Sequence, residues 1–342
     1  IMKKDFFLFS FSSVLFLSFV NIALSQVKID ITRGRVEPMP IAVAQFVISG
    51  GSDENIGRRI SSVISNDLER SGLFRPINEN SFVQQLYSFD TVPRFPDWRI
   101  INAQALIQGE VSEIRNGRVR VSYRLWDVFT GQELKGQEFV TPKANWRRVS
   151  HIIADSIYEE ITGETGYFDT RIVYVSESGP LNARIKRLAI MDQDEENHRF
   201  LTDGSALVLT PRFSPTTQEI TYLSFFNDLP RVYLFNLETG KQELLGDFPG
   251  MTYAPRFSPN ADKIIFSMAS NGNSDIYQMD LKNRRTLRLT DHPAIDTSPS
   301  YSPTNRDICF NSDRGGSQQL YVMGINGNNV KRISFGKGRY AT

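Results

Sequence analysis

The chain has 342 residues, 40% of them hydrophobic and 11% aromatic, which excludes a disordered chain and leaves room for two packed domains. Lys and Arg number 39 against 38 for Asp and Glu, so no net field attracts nucleic acid, and we expect a protein or a small neutral molecule as the partner. A single cysteine, Cys309, excludes an intramolecular disulfide.

The amino end has the features of a secretory signal peptide. The pair Lys3-Lys4 precedes an apolar run over 6–20 that only serines interrupt, and Ala23-Leu24-Ser25 places small residues around a cleavage site. The apolar run is shorter than the ~20 residues that a membrane span needs. We therefore predict a signal peptide over 1–25, cleavage before Gln26, and a mature protein in the periplasm.

The mature chain is predicted to begin with a short strand. Residues 27–32, V-K-I-D-I-T, alternate apolar and polar side chains, and Pro38 and Pro40 separate them from the next predicted strand. Such a strand at a free terminus can pair with its own sheet or with the edge of a partner's sheet. An ordinary first strand or a loose tail is the equally weighted alternative.

An α/β domain is predicted over 26–165. The turn Gly50-Gly51-Ser52-Asp53 offers Ser52 or Asp53 as a helix N-cap, and it lacks the glycine spacing of a phosphate-binding loop. After it, apolar residues repeat at helical spacing until Gly72. Helices covering one sheet are therefore expected. The remaining predicted elements are strands over 41–49, 105–114, 118–129 and 133–141 and a helix over 146–161, with Gly163 past its end.

A repeat of 44 residues dominates the region 166–342. The block P-x-[FY]-S-P begins at Pro211, Pro255 and Pro299, and each unit contains four strand-like segments separated by polar turns. Self-similarity at about 40–45 residues with four strands per unit indicates the blades of a WD40-like β-propeller. Each blade must bury its two apolar faces against its neighbours.

The first repeat unit lacks its innermost strand. Its other three strands are predicted at 171–178, 184–192 and 199–202, and no P-x-F-S-P block precedes them. The chain also stops at Thr342, where the next block is due. We therefore predict one three-stranded blade, three complete blades, and a ring that is unclosed because the chain is a fragment or a truncated product.

Taken together, these features resemble the TolB family of the Tol–Pal system of Gram-negative bacteria. Besides the blades, the resemblance rests on Ile41-Ala42-Val43, Ile56-Gly57, the run D-L-E-R-S-G-L-F over 67–74 and the run T-R-I-V-Y-V over 170–175. It implies an α/β amino-terminal domain followed by an all-β, six-bladed propeller, of which about four blades are present here. In the family, a carboxyl-terminal P-x-W-S-P strand completes the first blade.

The resemblance also implies a function and two contact regions. The family is a periplasmic scaffold that links the lipoprotein Pal to the inner-membrane protein TolA, and it supports outer-membrane integrity and invagination during cell division. The TolA-binding segment corresponds to Gln26, Val27, Lys28, Ile29, Asp30, Ile31 and Thr32, and the Pal-facing mouth of the propeller to Met251, Thr252, Asp296 and Thr297. For each of these four mouth residues, the alternative is an ordinary loop residue that contacts no partner.

The alternative function is a propeller module of a secreted hydrolase or of a carbohydrate-binding protein. A G-x-S-x-G nucleophile elbow is absent from the sequence, and His151, His198 and His292 lack metal-ligand spacing. The acidic run over 192–197 lacks the glycine and glutamate of a calcium loop. We therefore predict no enzyme activity, no cofactor and no metal, with His151 at a surface or boundary position and Cys309 buried.

Overall fold

The computed structural model describes residues 28–29, 37–50, 53 and 55–336. The chain divides into two compact units, Ile1–Asp169 and Thr170–Thr342. The sequence placed this division after Thr165; in the structure, residues up to Asp169 belong with the first unit. The predicted signal peptide lies outside the described residues. Among the residues that are described, no helix is long and apolar enough to cross a membrane.

The first unit is a mixed sheet with helices. The sheet has the order β3-β1-β4-β5-β6, and β2 also pairs with β4. β1 lies parallel to β3 and β4, whereas β4, β5 and β6 are antiparallel. Its strands are β1 (Met39–Val43), β2 (Val47–Ser49), β3 (Phe74–Pro76), β4 (Ala105–Ile114), β5 (Arg118–Asp127) and β6 (Glu133–Pro142), and its helices are α1 (Ile56–Arg70), α2 (Phe95–Ile100) and α3 (Trp146–Thr162).

An irregularity splits the strand predicted over 41–49 into β1 and β2. Val43 pairs with Ile107, whereas Val47 pairs with Glu110. The segment from Val43 to Val47 therefore contains one residue more than the segment from Ile107 to Glu110 that it pairs with, which is the signature of a β-bulge. The prediction of one continuous strand was wrong here, because a sequence pattern does not show where a strand takes in one extra residue.

Both faces of this sheet are covered. On one face, the main apolar cluster joins α1 and α3 to the inward side chains of β1, β4 and β5. The other face carries a second cluster, in which Trp98 of α2 contacts the layer of Ala42, Leu106 and Trp126. The helices that were expected to cover the sheet lie on both of its faces, with α1 and α3 on one face and α2 with its flanking segments on the other.

The helix ends and His151 also differ in part from expectation. The N-cap of α1 is Asn55 rather than Ser52 or Asp53, although the Asp53 carboxylate accepts the Asn55 amide at 3.2 Å. Gly163 ends α3 with φ +79°, as predicted. His151 is buried, and its Nδ1 lies 2.6 Å from Asp67 Oδ2, so its predicted surface or boundary position was wrong.

Within its described residues, 170–336, the second unit consists of four antiparallel sheets. Three have four strands and the first has three, as the repeat predicted, and the fold class inferred from the sequence is thereby confirmed. The first blade holds β7 (Arg171–Ser178), β8 (Ile185–Asp192) and β9 (Arg199–Phe200). The second holds β10 (Val208–Phe213), β11 (Glu219–Ser224), β12 (Arg231–Asn236) and β13 (Gln242–Leu244), the third β14 (Met251–Phe257), β15 (Lys263–Ser270), β16 (Asn273–Asp280) and β17 (Thr286–Arg288), and the fourth β18 (Asp296–Tyr301), β19 (Asp307–Ser312), β20 (Gln319–Gly324) and β21 (Lys331–Arg332).

Apolar clusters lie between neighbouring blades. Leu188 and Ile190 of the first blade pack with Ile220 and Tyr222 of the second, and similar clusters join the second blade to the third and the third to the fourth. Burial at these faces supplies the hydrophobic stabilisation that an isolated four-stranded sheet lacks.

The repeated P-x-[FY]-S-P block builds the inner strand of each complete blade. The residues before its first proline, Thr210, Ala254 and Ser298, have φ of 49°, 52° and 53° and sit at register shifts in β10, β14 and β18. A proline is tolerated at such a bulge because no ladder hydrogen bond is lost there. The motif serine then accepts a backbone amide across the next turn, as Ser258 does from Lys263 at 3.0 Å.

Candidate protein-binding site

The second, third and fourth blades each place an exposed apolar side chain at the start of the inner strand. These residues are Leu207, Met251 and Ile295, with exposed fractions of 39%, 48% and 40%. They are spaced by the 44-residue repeat, so they occupy the same position in three successive blades. We call this set the apolar rim. Three large apolar side chains exposed at one end of a propeller are a feature of a protein-interaction surface.

The residue after each rim position points into the blade. Val208, Thr252 and Asp296 are buried, as the period-two alternation of a strand requires. Thr252 Oγ1 accepts the backbone amide of Val232 at 3.2 Å. The Val232 amide corresponds to the Ile276 amide of the third blade, which donates to Thr290 Oγ1 at 3.0 Å. In both blades, a threonine hydroxyl thus accepts the hydrogen bond of this amide.

Asp296 is held by a cation inside the fourth blade. Arg314 Nη2 donates to both carboxylate oxygens of Asp296, at 3.1 and 2.8 Å, and its Nε donates to Ser312 Oγ at 2.9 Å. The guanidinium also lies 5.3 Å from the ring centroid of Phe310 and 5.2 Å from that of Tyr321. The Asp296 side chain has no exposed area, so this ion pair positions the start of β18.

The four predicted mouth residues therefore fall into two groups. Met251 is exposed and Thr297 is half-buried, whereas Thr252 and Asp296 are buried and engaged in internal bonds. Of these four residues, only Met251 and Thr297 offer side-chain surface to a partner. Leu207 and Ile295 were not among the predicted residues, although their apolar character at the Met251 position of the repeat was the signal that could have identified them.

Two residues of the predicted TolA-binding segment are described. Lys28 is exposed, whereas Ile29 is buried in the main cluster of the first unit and donates its backbone amide to the Ile161 carbonyl at 3.0 Å. The segment is thus anchored at Ile29 on the carboxyl-terminal turn of α3. Gln26, Val27, Asp30, Ile31 and Thr32 lie outside the described residues.

The groups considered for catalysis or metal binding have structural contacts within the second unit. His292 Nδ1 accepts the Ala294 amide at 3.0 Å, and the His198 ring packs edge-on against Phe200. In the acidic run, Asp192 Oδ2 accepts from Asn197 Nδ2 at 2.5 Å, which closes a turn. Cys309 is half-buried rather than buried, and burial raises the pKa of its thiol, which makes it a weaker nucleophile.

Comparison with known families decides the identity of both units. Residues 27–134 match the TolB amino-terminal domain, and residues 158–342 match the TolB beta propeller domain. The second match alone covers more than half of the chain. The chain belongs to the TolB family. The order of the two domains is the one that the sequence predicted.

Two relatives agree with this assignment. The Tol-Pal system protein TolB of Paramagnetospirillum magneticum (strain ATCC 700264 / AMB-1) is 57% identical over 226 residues, which are 66% of this chain and 51% of that protein. This chain thus spans about half the length of that relative. The crystal structure of TolB from Acinetobacter baumannii is 31% identical with a TM-score of 0.74, and the match covers 89% of this chain and 73% of that one.

Proposed function

We propose that this TolB-family chain is a non-enzymatic, periplasmic scaffold of the Tol–Pal system. In this proposal, the propeller mouth binds the lipoprotein Pal, the segment 26–32 binds TolA, and the linkage supports outer-membrane integrity and invagination during cell division. The signal peptide predicted over 1–25 delivers the chain to the periplasm. The observation that carries the proposal is the apolar rim, which repeats in three successive blades of a TolB-family propeller.

The rim geometry favours a protein partner over a small substrate. Leu207, Met251 and Ile295 present separate apolar side chains over three blades, which suits an extended contact surface and not an enclosed pocket. Asp313 Oδ1 accepts the Ile295 amide at 2.8 Å, so the rim residue of the fourth blade is held by a backbone contact. A rim held in place before binding loses little conformational entropy when a partner docks.

Replacing the rim with charges is expected to weaken Pal binding. In the combined variant Leu207→Glu, Met251→Glu and Ile295→Glu, each apolar contact is replaced by a carboxylate that the interface must desolvate. With roughly 1 kcal/mol lost per contact, the dissociation constant for purified Pal should rise about 100-fold. Surface plasmon resonance with immobilised Pal measures this change.

A matched variant tests whether position matters more than apolar surface in general. Leu287 is 55% exposed on β17, an outer strand of the third blade, and Leu287→Glu should leave Pal binding within about twofold of the unaltered chain because single rim-distant charges contribute little. If the triple variant binds Pal as well as this control does, the rim is not the Pal surface. Failure of the unaltered chain to bind Pal would contradict the wider proposal.

The TolA contact is tested at the amino end. A chain that starts at Ile29 loses Gln26, Val27 and Lys28 but keeps the residue that is buried in the first unit. We expect its affinity for TolA to fall at least about tenfold relative to a chain that starts at Gln26, because main-chain pairing by an added strand supplies much of such an affinity. Calorimetric titration measures both chains, and equal melting temperatures confirm that the shorter one is folded. Undiminished TolA binding would refute the role of these residues.

A further inference from the structure

A cavity of about 430 Å³ lies between the first and second blades. Its wall is formed by the connector over 201–206, which joins β9 to β10, and by residues from all four strands of the second blade. The volume lies in the range of about 300–1,000 Å³ that is typical of small-ligand pockets. It is separate from the apolar rim, since neither Leu207 nor Met251 lines it.

The repeat shows why the second blade has a cavity. The connectors before the second, third and fourth blades read Leu-Thr-Asp-Gly, Leu-Gly-Asp-Phe and Leu-Thr-Asp-His, so Gly204 occupies the position of Phe248. In the third blade, the Phe248 ring packs 5.2 Å from Phe266, which in turn stacks on Tyr277. The chain there fills the space with its own aromatic ring.

The second blade keeps the ring pair but lacks the third ring. Tyr222 and Tyr233, at the positions of Phe266 and Tyr277, stack with centroids 5.7 Å apart and planes at 29°. Gly204 supplies no side chain at the Phe248 position, and Ser224 stands where β15 has the bulkier Met268. Ser224 lines the cavity together with both tyrosines, so its short side chain leaves open the volume that Met268 fills in the third blade.

The fourth blade covers its ring pair with a different planar group. The Arg314 guanidinium lies over Phe310 and Tyr321 there. The residue at the Arg314 position of the second blade is Phe226, which lines the cavity and is 56% exposed. In the third and fourth blades, the chain therefore packs a planar group of its own against the aromatic pair. In the second blade, the corresponding space next to Tyr222 and Tyr233 belongs to the cavity.

Polar groups on the cavity wall indicate which hydrogen-bonding groups a ligand of this cavity carries. Gln242 Oε1 accepts the Tyr222 hydroxyl at 2.9 Å. Asp203 Oδ1 accepts from the Ser205 amide at 2.9 Å and from its hydroxyl at 2.7 Å, and these bonds lower the pKa of the Asp203 carboxyl. An ionised carboxylate is a strong acceptor for a hydroxyl or an N–H of a ligand.

We propose that this cavity binds one aromatic ring with a hydrogen-bonding substituent, a phenol-type group, packed against the Tyr222–Tyr233 pair. The ring takes the place that Phe248 occupies in the third blade, and its substituent reaches Asp203 or Gln242. Such a group comes either from an aromatic side chain of a partner polypeptide or from a free phenolic compound. Offset stacking and tilted ring contacts favour a flat ring over a puckered one of equal size.

Two ligands of matched size test the requirement for a flat ring. p-Cresol and 4-methylcyclohexanol carry the same methyl and hydroxyl groups, but only p-cresol is aromatic. Ligand-detected NMR titration of the full chain should show saturable p-cresol binding at one site per chain, and at least about fivefold weaker binding of the cyclohexanol, as expected for an aromatic contact of about 1 kcal/mol. Absent p-cresol binding, or equal binding of both compounds, would overturn the proposal.

Filling the cavity locates the site. Ser224→Met introduces the side chain that β15 carries at the same position, so the blade architecture accommodates it, and p-cresol binding should weaken at least about tenfold because the space is taken. Ser317→Met, at an exposed serine of the fourth blade, is the matched control and should bind p-cresol unchanged. Unchanged binding to Ser224→Met would place the ligand elsewhere and overturn the assignment.

A third ligand distinguishes the two sources of the ring. N-Acetyltyrosinamide presents the same phenol on a peptide-like backbone. If it binds at least as tightly as p-cresol and is lost in Ser224→Met, the cavity takes a tyrosine side chain of a polypeptide. If p-cresol binds and N-acetyltyrosinamide does not, the cavity takes a free phenolic compound.

Discussion

Replacing Arg314 with alanine is expected to lower the unfolding free energy of the propeller unit by about 3–5 kcal/mol. The Asp296 carboxylate has no exposed side-chain area, and Arg314 is its ion-pair partner, at 2.8 Å. Removing the guanidinium leaves a buried charge without its partner, and the cover over Phe310 and Tyr321 is lost as well. Urea unfolding monitored by tyrosine fluorescence and circular dichroism measures the change.

A second arginine of the same unit provides the control. Arg284 Nη2 lies 2.5 Å from Glu243 Oε1, but both side chains are about 40% exposed, so water screens their attraction. Arg284→Ala should therefore cost less than about 1 kcal/mol. Similar losses for both variants would show that burial of Asp296 does not set the cost.

Neutralising Asp296 separates the buried charge from the packing of Arg314. In the double variant Asp296→Asn and Arg314→Ala, the buried group is no longer charged, so we expect recovery of about half or more of the loss. The remaining loss then measures the contact of the guanidinium with the two rings. No recovery would mean that Arg314 stabilises the blade by packing alone.

The repeat allowed the propeller to be predicted nearly strand by strand. β7 was predicted at its observed bounds, 171–178, because the 44-residue step transfers each turn from one blade to the next. The step does not show which way a side chain points at the start of β14. The family resemblance placed both Met251 and Thr252 in the mouth, but consecutive strand residues face opposite sides, so Met251 is exposed and Thr252 is buried.

The first unit shows a different limit of sequence-based prediction. The segment between β3 and β4 was not assigned any structure, because distant side chains order it. Gln108 Nε2 donates to the carbonyls of Ser88, Phe89 and Thr91 at 3.0, 3.2 and 3.0 Å. The buried contact between Asp67 and His151 likewise joins residues 84 positions apart. Neither contact has a local sequence signal.

Replacing Gly57 with alanine is expected to destabilise the first unit by about 1–3 kcal/mol. Gly57 lies in the first turn of α1, and a Cβ there would overlap the backbone carbonyl oxygen of Phe46 and also meet its carbonyl carbon at 3.1 Å. Phe46 has little room to move, because its ring packs over Gly109 and the residue is 1% exposed. The helix must therefore shift away from the sheet and loosen the contacts of Ile56, Ile60 and Ile64 with the core.

This loss of unfolding free energy is predicted although alanine favours the helical conformation more than glycine does. Alanine is a better helix former than glycine by about 1 kcal/mol, so a stabilised Gly57→Ala protein would show that the close approach of α1 to Phe46 is not maintained in solution. Ser62→Ala, at an exposed position of the same helix, makes the corresponding change without a clash and should alter stability by less than about 0.5 kcal/mol. Urea unfolding followed by circular dichroism at 222 nm compares the two variants. A lower unfolding free energy for Gly57→Ala than for Ser62→Ala would show that α1 can approach the bulge at Phe46 only because residue 57 has no side chain. The bulge and the glycine therefore both lie where α1 packs on β1 and β2.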